Sequence, residues 1–338
     1  MVIHFLISIS QRHSSGGGMM RLFSMVFISI ASFLTNACFC LGQETLTPLT
    51  FQDVPRGFLG ESAARRSEPV SRGVGIPFFL PRNAKDGVIY GIDISHHSFS
   101  DGAEINWEQL KANKVSFVYM KASEGTMFYD STFQKSWKAL DGITDPPMRG
   151  AYHFLRALED PRKQAETFIK VLSEESNYTV GKDLPPVVDL EWDCRRDARG
   201  RPVYRKGRCA HDNWSDLKPE EIAAHVATFV QVLKDKFGVA PVVYTSAVWW
   251  GERRLSQADK DGKFLSDGKF WIADYTRAAQ RSSAPPMPTG KQWTIWQFTD
   301  NGKLTEECDP SNKNSNCTDT NAVILSMGEF KQAMGISN

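Results

Sequence analysis

The chain has 338 residues, of which 41% are hydrophobic and 23% are charged, and its formal net charge is +1. This composition is typical of a globular protein with room for one large domain or two small ones. The small net charge argues against nucleic acid or an anionic membrane as a partner.

Residues 1–42 have the pattern of a secretory signal peptide. The segment RLFSMVFISIASFL carries one arginine and then an apolar run too short to span a bilayer comfortably. We expect cleavage near Gly42, which would give a secreted or periplasmic protein with no stable membrane association. The alternatives are an uncleaved anchor and a lipid attached to Cys38. Translation from Met19 or Met20 would give a cleaner signal.

Residues 43–85 are rich in Pro, Gly, Ser and Arg, which indicates a linker or an N-terminal arm. From residue 86 to residue 338, short β-rich runs alternate with helical signatures, so we predict one domain. The eight runs are GVIYGIDIS, VSFVYMKAS, MRGAYHFL, PPVVDLEW, APVVYTS, KFWIADY, KQWTIWQF and NAVILS. Such alternation predicts a parallel sheet, and eight strands in about 240 residues fit a closed β/α barrel.

Helical signatures lie between several of these runs. INWEQLKANK and STFQKSWKALDG are two of them, and DPRKQAETFIKVLSEES begins with Asp160 as the cap and Pro161 at the first helical position. KPEEIAAHVATFVQVLKDKFG ends at Gly238. The helical signal thins after Gly251. We therefore predict an α/β fold, a single irregular TIM-like (β/α) barrel with eight strands and fewer than eight helices. The rival is an open doubly wound sheet, but no glycine-rich phosphate loop follows the first strand.

Four of the six cysteines lie beyond the signal segment, in two local pairs. Cys194 with Cys209 and Cys308 with Cys317 each bracket a polar segment, which in an exported protein predicts two loop-closing disulfides. The spacing of zinc ligands is missing. The basic cluster at 195–208 is interpreted as a solvated loop, and contact with an anionic polymer is the alternative.

Polar residues end seven of the predicted strands. In a β/α barrel these strand ends share one rim, where active sites are found, whereas scattered surface polarity would not recur so regularly. The residues are Asp93, Lys121 with Glu124, Tyr152 with His153, Asp189 with Glu191, Tyr244, Asp274 and Gln297.

The strand PPVVDLEWD supplies two of these acids. Because strand side chains alternate, Asp189 and Glu191 point to the same side as Val187, with their Cα atoms roughly 6.5–7 Å apart. Glycoside hydrolysis uses such groups: one carboxylic acid protonates the leaving oxygen, and a second group stabilises positive charge at the anomeric carbon. Like charges from Asp93 and Asp274 would help to keep one acid protonated near neutral pH.

Aromatic residues near the strand ends suit the faces of sugars, namely Tyr152, Tyr244, Trp249 and Trp296. A divalent metal is the competing use of the acids, and His96, His97 and His153 keep this alternative open. However, the SHHS histidines come just past the first strand, and the chain contains no HExxH motif. We expect neither a metal nor another cofactor.

These motifs together resemble glycoside hydrolase family 25, the lysozymes of the Chalaropsis type. YGIDISHHS, SFVYMKASEGTMFYDSTFQKSWKAL, RGAYHF, PPVVDLEWD, PVVYTS, WIADY and IWQF follow the order of that family, over residues 87–326. The resemblance implies a flattened β/α barrel. It also implies cleavage of the β-1,4 bond between N-acetylmuramic acid and N-acetylglucosamine in the glycan strands of peptidoglycan, and we expect a monomer.

The resemblance also implies roles for individual residues. Glu191 is the expected proton donor. Asp189 is expected to orient the 2-acetamido group of the substrate, so that the sugar acts as its own nucleophile. Asp93 and Asp274 match the other acids of the family, and Tyr152, Tyr244 and Gln297 match its substrate-lining positions.

Three features depart from the family pattern. Ser98 stands where the family has glutamine or asparagine, the closing D-x-N strand is recognisable only as DTN at 319–321, and a long basic insert follows the catalytic strand and would overhang the cleft. Two other functions remain as alternatives. A barrel that binds glycan without cleaving it would be expected to lose the acids, which are present. A chitinase-like acetamido-sugar hydrolase would carry a longer acidic series ahead of Asp189.

Overall fold

The computed structural model describes residues 88–98, 105–206, 208–259, 264–276, 285, 287–288, 291–302 and 318–337. The predicted signal peptide at 1–42, the predicted arm at 43–85 and the predicted Cys308–Cys317 disulfide lie outside the described residues.

The described strands include a closed barrel of eight. These are β1 (Val88–Ile94), β2 (Val115–Glu124), β4 (Met148–Phe154), β5 (Val187–Asp189), β8 (Val242–Thr245), β9 (Lys269–Ala273), β10 (Trp293–Gly302) and β11 (Thr318–Ile324). They pair in that order, and β11 then pairs with β1 to close the barrel. A short strand β3 (Phe128–Tyr129) forms a hairpin with β2, and β6 (Tyr204–Arg205) pairs with β7 (Arg208–Cys209) in the loop after β5. All eight predicted runs are confirmed as barrel strands.

One barrel strand departs from the predicted parallel arrangement. β11 runs antiparallel to both of its neighbours, β10 and β1, whereas the other neighbouring pairs are parallel. A parallel neighbour requires a crossover back to the other end of the sheet, but an antiparallel neighbour needs only a loop. The sequence at 303–317 contains three Asn and two Ser and carries no helical period, which suits a connection to an antiparallel neighbour.

The described helices number seven, so the prediction of fewer than eight is confirmed for this part of the chain. They are α1 (Trp107–Ala112), α2 (Phe133–Ala139), α3 (Pro161–Glu175), α4 (Pro219–Phe237), α5 (Ala247–Glu252), α6 (Leu255–Ala258) and α7 (Met327–Ala333). None of them is both long enough and apolar enough to cross a membrane.

The two long helices begin and end where their sequences predict. The carboxylate of Asp160 accepts hydrogen bonds from the backbone N–H groups of Arg162 and Lys163, ahead of Pro161 at the start of α3. Gly238 ends α4 in the left-handed conformation, with a φ of 70°.

Alternation along the strands creates two apolar layers. Val118, Val188 and Leu190 belong to the outer layer, between the sheet and the helices α3 and α4. Side chains of the other parity fill the barrel interior, and Phe330 and Met334, in and just after α7, pack against them. The inner layer comprises Ile89, Phe117, Tyr119, Tyr152, Leu184, Val187, Val242, Tyr244, Trp271, Ala273, Ile295, Val323, Phe330 and Met334.

Two strand glycines make room for two of the inward aromatic side chains. An added Cβ on Gly91 would lie 2.3 Å from ring carbons of Phe117, and one on Gly150 would lie 2.2 Å from the ring of Tyr119 and 2.9 Å from Leu184. Because buried rings cannot move far in a closely packed interior, these positions tolerate no side chain without a shift of the surroundings.

We expect Gly150→Ala to lower the free energy of unfolding by about 1–3 kcal/mol through overpacking, as measured by urea unfolding. Gly328→Ala in α7 is the matched control, because its Cβ would meet nothing within 4 Å. It should be neutral or slightly stabilising. Equal destabilisation by the two substitutions would contradict this description of the barrel interior.

Candidate active site

A pocket opens where the parallel barrel strands end. Its lining consists of Asp93 from β1, Tyr152 from β4, Val187, Asp189 and Glu191 from β5 and its continuation, Tyr244 from β8 and Trp271 from β9. The structure thus brings together five of the seven residues predicted for catalysis and substrate binding. Asp274 and Gln297 do not line the pocket.

The two acids of β5 face the same pocket. Val187, Asp189 and Glu191 line it, whereas Val188 and Leu190 lie in the outer apolar layer. The backbone N–H of Leu190 donates to the carbonyl of Tyr244 at 2.9 Å, which continues the pairing with β8 beyond the end of the strand. This pairing holds Glu191 on the inward edge, although only Val187–Asp189 is regular strand.

Asp189 has an unusual environment for a carboxylate. It is 3% exposed, and its Oδ1 has no hydrogen-bond partner among the described residues. Burial raises the pKa of Asp189 well above its usual value, and the charge of Lys121 opposes this rise, while Asp93 and Glu124 add to it. A buried and incompletely bonded acid at a pocket wall is suited to receive a donor from a ligand.

Asp93 is held by two side-chain amides. Nε2 of Gln297 and Nδ2 of Asn321 both donate to its Oδ2, each at 2.8 Å. Burial raises the pKa of Asp93 to about 6, although the hydrogen bonds from Asn321, Gln297 and Asp319 act in the opposite direction. The amides therefore fix the carboxyl group against the pocket and favour its charged form.

Asp319 faces Asp93 across the barrel closure. The two residues are directly opposite in the antiparallel register of β1 and β11, and their buried side chains are hydrogen-bonded. Burial raises the pKa of Asp319 well above its usual value, and the charge of Asp93 raises it further. Two facing carboxyl groups can bond only when one carries a proton. The hydrogen bond and the raised pKa values therefore indicate that the two carboxyl groups share one proton.

Gln297 and Asp274 support the pocket from behind. Gln297 is fully buried, and its Oε1 accepts hydrogen bonds from the hydroxyl groups of Tyr244, at 2.8 Å, and of Tyr275. A carboxylate oxygen of Asp274 accepts from the backbone N–H of Thr276 at 2.8 Å, which fixes the turn after β9. Gln297 therefore connects Asp93 to Tyr244, and Asp274 organises the neighbouring chain.

Trp271 is the pocket aromatic that the sequence reasoning missed. Its Nε1 donates to Oδ1 of Asn321 at 2.7 Å, and its ring meets that of Tyr244 edge-on, with centroids 5.0 Å apart. Trp249, by contrast, is buried in the outer layer against Trp214. The alternation of side chains along β9 could have identified Trp271, because the inward residues of this strand are Trp271 and Ala273.

The same parity identifies Asp319 and Asn321 in the DTN segment. They alternate with Thr320 and share their side of β11 with Val323, which is an inward residue. In the sequence, this segment is recognisable only as a departure from the family pattern. In the structure it supplies two of the groups that hold Asp93.

A network of ion pairs lies beside the pocket, at the end of β2. Glu124 contacts Lys121 at 2.7 Å, Arg156 at 2.8 Å and Arg196 at 2.5 Å. Although its burial acts in the opposite direction, these three cations lower the pKa of Glu124 to about 2. Arg156 also pairs with Asp193, so that Asp193 belongs to this network.

Two of the three histidines considered as metal ligands are engaged by other side chains. Nδ1 of His153 pairs with the hydroxyl of Ser123 at 2.8 Å, and its Nε2 faces Gln164 at 3.3 Å. Nδ1 of His96 pairs with Asp130 at 2.7 Å. Within the described ranges, no three His, Cys, Asp or Glu side chains are grouped in a way that could hold a metal ion.

The loop that follows β5 is closed by a disulfide between Cys194 and Cys209, whose Cα atoms are 5.1 Å apart. This is the first of the two local pairings predicted from the sequence.

The Asp93–Asp319 pair predicts a pH-dependent stability. Because burial raises both folded-state pKa values, the pair stabilises the fold most at low pH, and this contribution is lost as the pH rises through about 6 for Asp93 and through the raised pKa of Asp319. Asp319→Asn retains a donor but cannot titrate. We expect the stability of this variant, relative to that of the wild type, to rise by on the order of 1–3 kcal/mol between about pH 5 and pH 8 in urea unfolding. A difference that does not change with pH would contradict the shared proton.

The sequence matches a known family and several curated proteins. The model of the glycosyl hydrolases family 25 matches residues 92–307. Lysozyme M1 of Streptomyces globisporus is 28% identical over 218 residues, which cover 64% of this chain and 63% of that protein. N,O-diacetylmuramidase of Arthroderma benhamiae is 28% identical over 169 residues, which cover 50% of this chain and 62% of that protein. The chain thus spans just under two thirds of the length of these curated relatives.

Solved structures share the fold. A bacterial lysozyme from Streptomyces coelicolor superimposes with a TM-score of 0.55 at 24% identity, covering 73% of this chain and 97% of the other. A muramidase from Acremonium alcalophilum gives a TM-score of 0.54 at 23% identity, covering 73% of this chain and 99% of the other. Since the family model spans more than half of the sequence, the chain belongs to the glycosyl hydrolases family 25.

Proposed function

We propose that this protein is a lysozyme, which hydrolyses the β-1,4 bond between N-acetylmuramic acid and N-acetylglucosamine in peptidoglycan. The observation that carries the proposal is the placement of Asp189 and Glu191 side by side on the inward edge of β5, in one pocket. Membership of family 25 and the lysozyme and muramidase relatives support the same reaction.

Glu191 is the proton donor in this proposal. It is 5% exposed and lines the pocket, so a bound glycan would exclude water from its carboxyl group. A protonated glutamate at this position can deliver its proton to the glycosidic oxygen as the bond breaks. The same group then returns as the base that activates water.

Asp189 orients the 2-acetamido group of the substrate. Its Oδ1 lacks a partner among the described residues, as does the hydroxyl of Tyr152 in the same pocket. An acetamido N–H would supply the missing donor to Asp189, and this bond would favour the charged carboxylate, as Lys121 already does. The negative charge would stabilise the positive ring that forms when the acetamido oxygen attacks the anomeric carbon, the substrate-assisted variant of glycoside hydrolysis.

The remaining residues either contact the substrate or support the residues that do. Asp93 raises the pKa of Asp189 by its nearby charge, after the larger effect of burial. Gln297 fixes Asp93 and Tyr244 together, and Asp274 holds the chain after β9. We therefore assign substrate contact to Asp93, Tyr152, Tyr244 and Trp271, and support to Gln297 and Asp274.

We also infer that the protein acts outside the cytoplasm. Its proposed substrate is a wall polymer, the sequence of residues 1–42 has the pattern of a signal peptide, and the Cys194–Cys209 disulfide is suited to an oxidising compartment. The monomeric state stays a prediction.

We expect Glu191→Gln to reduce turnover of purified peptidoglycan by about 10²–10⁴-fold, because the amide keeps the volume but cannot donate a proton to the leaving oxygen. Release of reducing sugars measures the rate, and urea unfolding verifies that the fold is retained. Glu108→Gln, at an exposed position in α1, is the matched control and should keep full activity. Near-normal turnover by the Glu191 variant would contradict the assignment.

Products of the wild-type enzyme identify the bond that is cut. Mass spectrometry of the released muropeptides should find N-acetylmuramic acid at the reducing end. Reducing-end N-acetylglucosamine would overturn the muramidase proposal while leaving a family 25 fold.

A further inference from the structure

The insert between the two disulfide cysteines concentrates positive charge beside the pocket. This basic loop, residues 195–208, carries one acid, Asp197, against seven cations, whereas the whole chain has a net charge of only +1. The cations are Arg195, Arg196, Arg199, Arg201, Arg205, Lys206 and Arg208. Such clustering creates a positive field close to the loop.

The basic loop is braced within itself. The Cys194–Cys209 disulfide joins its ends, and β6 pairs with β7 at its C-terminal end. Asp197 accepts hydrogen bonds from the backbone N–H groups of Arg199 and Arg201, at 2.8 and 3.0 Å. A loop of defined shape presents its charges at fixed positions, which lowers the entropy that a partner must remove on binding.

Ion pairs connect the first residues of the loop to side chains beside the pocket. The loop begins four residues after Glu191 in the sequence. Arg196 contacts Glu124, which also pairs with Lys121, and the charge of Lys121 acts directly on Asp189. One chain of charged contacts therefore leads from the loop to the wall of the pocket.

Three cations of the loop remain available. Arg195 is engaged by Asp216 at 2.8 Å, Arg196 by Glu124, and Arg201 by Asp197 at 3.0 Å. In contrast, the exposed side chains of Arg199, Arg205 and Lys206 form no ion pair with a described residue. These three groups can meet an anion without breaking a contact in the fold.

We propose that the basic loop binds the acidic peptide stems of the glycan strand whose sugars occupy the pocket. This inference rests on the proposed function. Every stem-bearing muramyl sugar carries its peptide on the lactyl group, and the free carboxylates of that peptide would leave the pocket at its rim. Guanidinium groups pair well with carboxylates. Because the loop adjoins the pocket, the carboxylates nearest to its cations would be those of the glycan strand bound in the pocket.

The test compares one variant on two substrates. Arg199→Ala, Arg205→Ala and Lys206→Ala are combined, and reducing-sugar release is measured on peptidoglycan freed of attached phosphate polymers, with its stems intact or removed by an amidase. We expect KM for the stem-bearing substrate to rise about tenfold, with kcat nearly unchanged, because several exposed ion pairs are lost together. KM for the stem-free glycan should change less than about twofold.

A second variant controls for the loss of charge. Lys163→Ala, Lys170→Ala and Lys236→Ala remove three exposed cations from α3 and α4, and should leave KM for both substrates unchanged. Raising the salt from about 50 to about 300 mM should weaken the wild type on stem-bearing substrate more than it weakens the loop variant.

Each other outcome overturns the inference. These outcomes are no change in the loop variant, an equal loss on both substrates, an equal loss in the control variant, and a loss seen only on walls that retain phosphate polymers. Failure of the proposed function would look different, because the wild type would then release no reducing sugars from either substrate.

Discussion

The closure of the barrel brings the buried carboxyl groups of Asp93 and Asp319 face to face, and the site depends on how this contact is satisfied. Because β11 returns antiparallel to β1, the two residues are directly opposite, and one proton between them avoids facing charges. Asn321 and Gln297 complete the bonding of Asp93. The side-chain oxygens of Asn321 and Gln297 accept hydrogen bonds from the pocket aromatics Trp271 and Tyr244, respectively. The hydrogen bonds that surround the Asp93–Asp319 contact therefore orient several residues of the pocket wall.

Another part of the pocket wall contains buried polar atoms that lack hydrogen-bond partners among the described residues. Oδ1 of Asp189 and the hydroxyl of Tyr152 are buried without a partner among the described residues, and each unmet group of this kind costs about 1–3 kcal/mol of stability. A substrate that supplies a donor and an acceptor at these atoms would recover that energy on binding. The pocket thus combines a hydrogen-bonded side around Asp93 with a side where, in our proposal, the acetamido group of a sugar would bind.

Much of the fold could be predicted from the sequence because it depends on local patterns. The eight strands, the cap at Asp160 and the end of α4 at Gly238 each follow from a few consecutive residues. The direction of β11 and the roles of Asp319 and Asn321 depend instead on a register between segments more than 200 residues apart. The alternation of side chains along β9 also carries information of this local kind. It places Trp271 inward and sets Asp274 apart from the pocket.

The central claim is that Asp189 and Glu191 act on one acetylated sugar within the pocket. A crystal structure of the inactive Glu191→Gln variant with a bound oligomer of N-acetylglucosamine and N-acetylmuramic acid tests this claim most directly. The account predicts the 2-acetamido N–H within about 3.2 Å of Oδ1 of Asp189, with the glycosidic oxygen facing residue 191. A sugar bound with its acetamido group turned away, and Asp189 still without a donor, would contradict it.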